Sequence, residues 1–252
     1  MTATNIQDVV DGLTAEVRRC QEENDRVGYF ASLYRQVTVQ IQRDVLAKKF
    51  DDNDRMERFD VAFGNRYFTP LQAWKDRSDG MLVTWRDAFG ATQRSDLAIV
   101  QHLVLGVNAH INVDLAVATM QMADGADLSS LQNDYNRIND ILISVLDRIQ
   151  GVLDDFSPAA AIIDVVGGRL DETILGFSVK RARGEAWDSA VLLAAQPTPT
   201  ERQRLEGLLD SHAQGLGRLV VEAGRVLQWV LPRETATLEV DDVIDRLDHA
   251  VP

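Results

Sequence analysis

The sequence predicts an all-α fold: a single multi-helix, bundle-like domain over residues 1–252, built around a buried central helix at about 96–122. Three observations carry that expectation. Apolar residues recur at three- and four-residue steps along most of the chain, the period of an amphipathic helix. No stretch alternates apolar and polar residues between hairpin turns, as a half-buried strand would. One segment, DLAIVQHLVLGVNAHINVDLAVATMQM from Asp96 to Met122, is apolar on nearly every side, the pattern of a helix enclosed by others.

Taken in order, Ile6, Val9, Val10, Leu13 and Val17 predict an amphipathic helix from Thr4 to about Arg26. From about Val27 to Phe50 the same period runs through Phe30, Leu33, Tyr34, Val37, Val39, Ile41 and Val45, and the acidic run Asp51–Asp54 supplies a stop and the cap of the next helix. In Met56–Phe68 the polar residues Asp60, Asn65 and Arg66 are set among aromatics, and Thr69-Pro70 is expected to begin a separate short helix toward Trp74. Ser78-Asp79-Gly80 reads as a turn before a short piece around Trp85 and Phe89. Beyond the central helix, a loop at Asp124–Leu128 leads into Ser129–Phe156, which keeps helical spacing from Leu131 to Val152. Ala159–Val166 is a short apolar helix stopped by Gly167-Gly168, and Arg169–Gln196 is another helix. The PTPT stretch Pro197–Thr200 forces a break, with Thr198 or Thr200 placed to cap a helix running to about Val230. Pro232 ends that helix, and a last one lies near Val240–Leu247. Four residues of PTPT are too few for a free linker, so one domain of roughly eight to ten helices is expected.

Composition narrows the classes of function. With 39 acidic and 26 basic residues the formal charge is −13, which argues against nucleic acid and anionic membrane surfaces as partners. A single cysteine, Cys20, excludes a disulfide framework and Cys-rich metal sites and points to a reducing compartment. No uncharged run approaches the length of a membrane span and the N-terminus lacks a signal pattern, so a cytoplasmic, soluble protein is expected.

The central segment also carries chemistry: Gln101, His102, Asn108, His110, Asn112, Asp114 and Gln121. Buried imidazole, amide and carboxylate groups are costly unless each finds a partner, so this helix predicts a site or a buried polar network. At about 100° per residue, His102, Gly106, His110 and Asp114 share a sector of roughly 120°, and Gly106 leaves room beside them. His110 and Asp114, one turn apart, suit a general base oriented by a carboxylate, or a shared divalent metal as cofactor. His102 lies roughly 12 Å along the axis from His110 and suits a separate part of a substrate or a neighbouring helix. Asp60 is the best carboxylate from elsewhere, ahead of Asp164 and Asp171. Asp60 and Arg66 also fit a buried ion pair. Arg183 and Trp187, at i and i+4, suit a cation–π or stacking pair on one helix face. No HExxH, di-iron ExxH pairing, P-loop, nucleophile elbow or dinucleotide fingerprint is present. His212 and His249 lie in charged surroundings and are expected in solvent.

Four stretches, Tyr29–Thr38, Arg55–Phe68, Val100–Ala116 and Arg181–Trp187, together resemble a family of bacterial helical proteins of unknown function. The most specific string is NAHINVDL at Asn108–Leu115, which resembles that family's NAHINxDL motif; Gly64 stands where the family's upstream pattern has alanine. The resemblance spans about residues 27–195, leaves Glu201–Pro252 outside and implies a location for the site without implying a reaction.

Two functions fit these residues. One is an enzyme acting on a small organic molecule in a pocket inside the helices, with His110, Asp114 and Asp60 catalytic and with His102, Asn65, Arg66, Asn108, Asn112, Arg183 and Trp187 around the substrate. In that reading His110 and Asp114 are also the metal ligands if a metal assists. The other is a non-catalytic helical protein in which the same groups hold a ligand or only the core. An open cavity beside His110 would favour the first, and a sealed, fully bonded network the second.

Overall fold

The amphipathic periods become helices in a computed structural model that describes residues 2–123, 128–156, 179–227 and 238–250, with the backbone alone at 154–156 and 224–227. No strand occurs among the described residues. Helix α1 (Ile6–Glu23) starts at Asn5, whose side chain accepts the Asp8 N–H, and ends at Asn24 in the left-handed region at φ 52°. Helix α2 (Val27–Leu46) is paired with it, Gly28 giving the room for Ile244 and Cys20 to press on its backbone.

Helix α3 (Asn53–Lys75) is capped by Asp52, as the acidic run predicts, but it does not stop at Thr69. Pro70 sits buried inside one helix of 23 residues, so the expected separate helix toward Trp74 is not formed. The proline removes one backbone bond, but Phe63, Tyr67, Phe68 and Leu71 on both sides of it are packed into the core and hold the axis. Helix α4 (Val83–Thr92) follows the Gly80 turn, where φ is 103°.

The central helix is continuous from Ile99 to Gln121, 23 residues, somewhat shorter than 96–122. It is not regular. Helix α5 (Ile99–Ala109) passes into a π-helical turn at His110–Asp114, where the Leu115 N–H bonds the His110 carbonyl five residues back, and then into α6 (Leu115–Gln121). By length and composition this helix is apolar enough to cross a membrane, contrary to the expectation that no run is, yet 89% of its apolar window is buried inside the fold. Its two halves meet different neighbours. Helix α5 packs on α2 and α4, whereas α6 packs on α3. Phe30 of α2 lies against Gly106, so close that a Cβ there would come within 2.5 Å of the ring.

After a 3-10 turn at Ser129–Leu131 comes α7 (Gln132–Phe156). Helix α8 (Val179–Ala194) packs on α6 and the π turn. Helix α9 (Pro199–Leu227) packs on α5 and α4, and Thr198 caps it by accepting the Glu201 N–H. Helix α10 (Val240–Asp248) closes on α1 and α2. The expected Ala159–Val166 helix with its Gly167-Gly168 stop, and the candidates Asp164 and Asp171, lie outside the described residues, as do most of the Asp124–Leu128 loop, the start of the Arg169–Gln196 helix and Pro232.

Candidate functional site

The site is centred on Asp114, 1% exposed at the end of the π turn. One oxygen accepts from Arg66 Nε of α3 at 2.9 Å; the other accepts from Trp85 Nε1 of α4 at 2.8 Å and faces His110 Nδ1 at 3.0 Å. Arg66 turns its second arm to Glu206 of α9. Burial works against the Arg66 charge, but Asp114 and Glu206 outweigh it and raise its pKa. Because both Asp114 oxygens already accept N–H bonds, from Arg66 and Trp85, the contact to His110 assigns the ring hydrogen to Nδ1 and the ring lone pair to Nε2. Burial lowers the His110 pKa against the opposing pull of Asp114, which keeps the ring neutral at neutral pH.

His110 is held by rings. It stacks on Phe63, with centroids 3.6 Å apart and planes at 10°, and Tyr34 meets it edge-on at 4.5 Å. Phe30 and Trp85 approach at 5.8 Å. His110 Nε2 and the Tyr34 and Tyr67 hydroxyls have no hydrogen-bond partner among the described residues. Space lies on both sides of the dyad. An open cleft of about 820 Å³ has Asp114, Arg66, Trp85 and Glu206 in its lining, with Gln121 and Gln203. A small cavity of about 40 Å³ has His110 and Arg183 in its wall among Phe30, Phe63, Val37 and Leu142.

The other expected site residues divide. Arg66 is where the site needs it, but paired with Asp114 and Glu206, not with Asp60. Asp60 lies one helical turn before Gly64, whose backbone packs on Val9 of α1; it is 1% exposed, and neither of its oxygens has a partner among the described residues. Burial, with Glu57 nearby, pushes its pKa up to about 8. Asn65 borders the cleft but commits its amide to the backbone of Ala3, donating to the carbonyl at 3.0 Å and accepting from the N–H at 2.8 Å. Asn108 donates to the Ala213 carbonyl of α9 at 2.8 Å and accepts from Asn112, while Gln101 donates to the Val220 carbonyl at 2.7 Å. These amides fasten two helices together, so Asn108 and Asn112 are not positioned as substrate contacts. His102 is remote from the dyad as well, edge-on to Tyr29 beside a separate small pocket, with burial and then Arg26 and Arg94 lowering its pKa to about 4. Arg183 and Trp187 do not pair with each other: the guanidinium lies 4.5 Å over the Tyr135 ring, and Trp187 meets the same ring edge-on at 4.9 Å. His212 and His249 are exposed as expected. Trp85 and Glu206 escape a reading from sequence, since Glu206 is one carboxylate of many on an amphipathic helix and Trp85 looks like a core residue.

A shared metal is poorly served by this arrangement. Both Asp114 oxygens accept N–H bonds and one faces a guanidinium, which repels a cation. Among the described residues no group of three or more His, Cys, Asp and Glu side chains is gathered as a metal ion needs.

Fold and site thus define an all-α domain that encloses an Asp–His dyad beneath a cleft. The chain belongs to the family of unknown function DUF5995, which it matches over residues 6–223. The match takes in α1 and nearly all of α9, beyond the 27–195 span of the resemblance, so Glu206 and Asp210 fall inside the family's domain. No curated protein and no solved structure matches the chain.

Proposed function

We propose that this chain is an enzyme acting on a small organic molecule, with His110 as a general base that Asp114 orients. What supports the reading is the geometry around Asp114: held by Arg66 and Trp85, it lies 3.0 Å from His110 Nδ1, which assigns the ring hydrogen to that contact, and the buried Nε2 has no partner among the described residues. A base of this kind is held in orientation and ready to accept a proton at neutral pH. Arg66 and Glu206 line the cleft with Asp114, Glu206 holding the arginine that in turn holds the carboxylate. The charge of −13 speaks against nucleic acid and anionic membrane surfaces as partners, and the long apolar helix Ile99–Gln121 is used in the core, 89% of its apolar window being buried.

A second reading, a non-catalytic protein with a buried network, draws on the way Asp114 joins α3, α4 and the π turn. Two variants separate them. Asp114→Leu strands the Arg66 and Trp85 donors and is expected to lose about 2 to 5 kcal/mol of stability. His110→Phe keeps a ring on Phe63 and leaves Asp114 two donors, so it should stay within about 1 kcal/mol of the parent. Consumption of a small molecule by the parent, followed by mass spectrometry, should vanish in the folded His110→Phe protein. If His110→Phe falls in stability as far as Asp114→Leu and the parent consumes nothing, the network reading stands and the enzyme does not.

A further inference from the structure

His102 is 5% exposed, and neither of its ring nitrogens has a hydrogen-bond partner among the described residues. Burial and then the charges of Arg26 and Arg94 keep the ring neutral, against the weaker pulls of Asp96 and the Leu97 carbonyl. The ring stands in the wall of a pocket of about 90 Å³, separate from the cleft and the cavity beside the dyad. That pocket lies where two helices begin. Leu97 and Ile99 bring to it the start of α5, and Leu238 and Val240 the start of α10. Neither helix is capped by the side chain of its N-cap residue, since Ala98 has no acceptor to offer and Glu239 makes no such bond. Arg26, at the N-cap of α2, lines the same pocket and gives one terminal nitrogen to the Thr92 carbonyl at 3.4 Å.

We propose that this pocket binds a small divalent oxyanion of the phosphate type, held between the first turns of α5 and α10 by Arg26 and His102. Charge, size and the buried ring each point there. A helix N-terminus carries roughly half a positive charge on its free N–H groups, so two of them with one guanidinium come to about two, the charge of such an anion. The carboxylates close by in sequence do not cancel this: Asp96 is paired with Arg94, and Glu239, Asp241 and Asp242 are exposed. A water takes about 30 Å³ in the liquid, and a phosphate, roughly twice that, fits the pocket where a nucleotide does not. The neutral imidazole supplies an N–H to the anion, a use that the fold itself does not make of it among the described residues. The apolar walls at Leu97, Ile99 and Val240 keep water from weakening these bonds. Because α10 lies beyond the matched residues 6–223, the site joins the family's domain to a helix outside it. It is independent of the reaction proposed at His110.

The test is calorimetric titration of the intact chain with inorganic phosphate and with sulfate at constant ionic strength, chloride serving as the control. Saturable binding of both oxyanions and none of chloride is expected, with a shift of the His102 ring signals in the proton–nitrogen spectrum that leaves those of His110 in place. Arg26→Met removes a charge-assisted bond and should weaken phosphate binding by about tenfold or more. Ser95→Glu sets a negative charge at the exposed rim of the pocket and should weaken it as well, whereas His110→Phe should keep the parent affinity. Absence of saturable phosphate and sulfate binding, equal heats with chloride, or undiminished binding by both Arg26→Met and Ser95→Glu each overturns the proposal. So does a phosphate titration that moves the His110 signals and not those of His102, which would put the anion elsewhere. Should Arg26→Met fail to fold, Ser95→Glu and the His102 signals decide.

Discussion

Asp60 and His102 are both buried titratable side chains outside the dyad, and they make opposite demands on pH. Asp60, at about 8 in the folded chain against about 3.9 unfolded, stays protonated while the unfolded chain ionises. Its contribution therefore weakens as pH rises between those values, by up to about 1.4 kcal/mol per unit. His102, drawn down to about 4, and His110, also lowered, bind protons more tightly unfolded, so their contributions are present at high pH and lost as it falls below about 6.5. From about pH 6.5 to 8 the two histidine contributions level off, and the Asp60 slope is the main one among these three groups. Asp60→Asn should accordingly gain on the parent between pH 6.5 and 8, read as the difference in urea midpoints; a constant difference would mean that Asp60 is ionised in the folded protein. At this scale the sequence revealed which polar residues are buried, because an apolar neighbourhood is visible in the order of residues. It did not reveal which carboxylate meets which cation. Asp60 lies six residues from Arg66, yet Arg66 bonds Asp114, 48 positions away, since that choice depends on which helix lies opposite.

Helix ends show the same limit. The Asp52 and Thr198 caps are local and could be read from sequence, but α4 is capped from across the molecule. Its N-cap residue, Leu82, has no side chain to offer, and Asp210 of α9 accepts the Val83 and Thr84 N–H groups at 2.8 and 2.9 Å and the Thr84 hydroxyl as well. Asp210→Ala is expected to cost about 1 to 2 kcal/mol, as the loss of a cap does. It should also loosen Trp85, in the first turn of α4, with a change in tryptophan emission in the folded state; unchanged stability would show that water replaces the carboxylate. Pro70 belongs here too: the rule that a proline opens a helix is local, and the packing of α3 on the core overrides it. The space that Gly106 was expected to leave beside His110 is taken by the Phe30 ring, and Gly106→Ala should destabilise by about 1 to 3 kcal/mol by driving a methyl group into it, measurable as a lower urea midpoint.

For the molecule as a whole, α9 is the element whose part is hardest to see in its own sequence, an amphipathic helix like others. It supplies Glu206 to the site, Asp210 to α4, and the Ala213 and Val220 carbonyls to Asn108 and Gln101 of the central helix. A chain ending at Gln196 should therefore fail to unfold cooperatively in urea, even though it contains the whole NAHINVDL string; a sharp transition would show that α1–α8 form an independent core. The all-helical class and the central helix followed from periodicity, which needs no partner to be visible. The π turn did not, because one more residue per turn leaves no mark on composition. That turn acts as a phase shifter. Each residue winds a helix by about 100°, so the residue taken up between His110 and Asp114 turns everything after it back by about that angle relative to everything before it. Gln101 and Asn108 stay in phase with α9, while α6 is set to meet α3 and α8. Asp114 sits at the step between the two settings, which is how one rod addresses two sides of the molecule and leaves its carboxylate where they join.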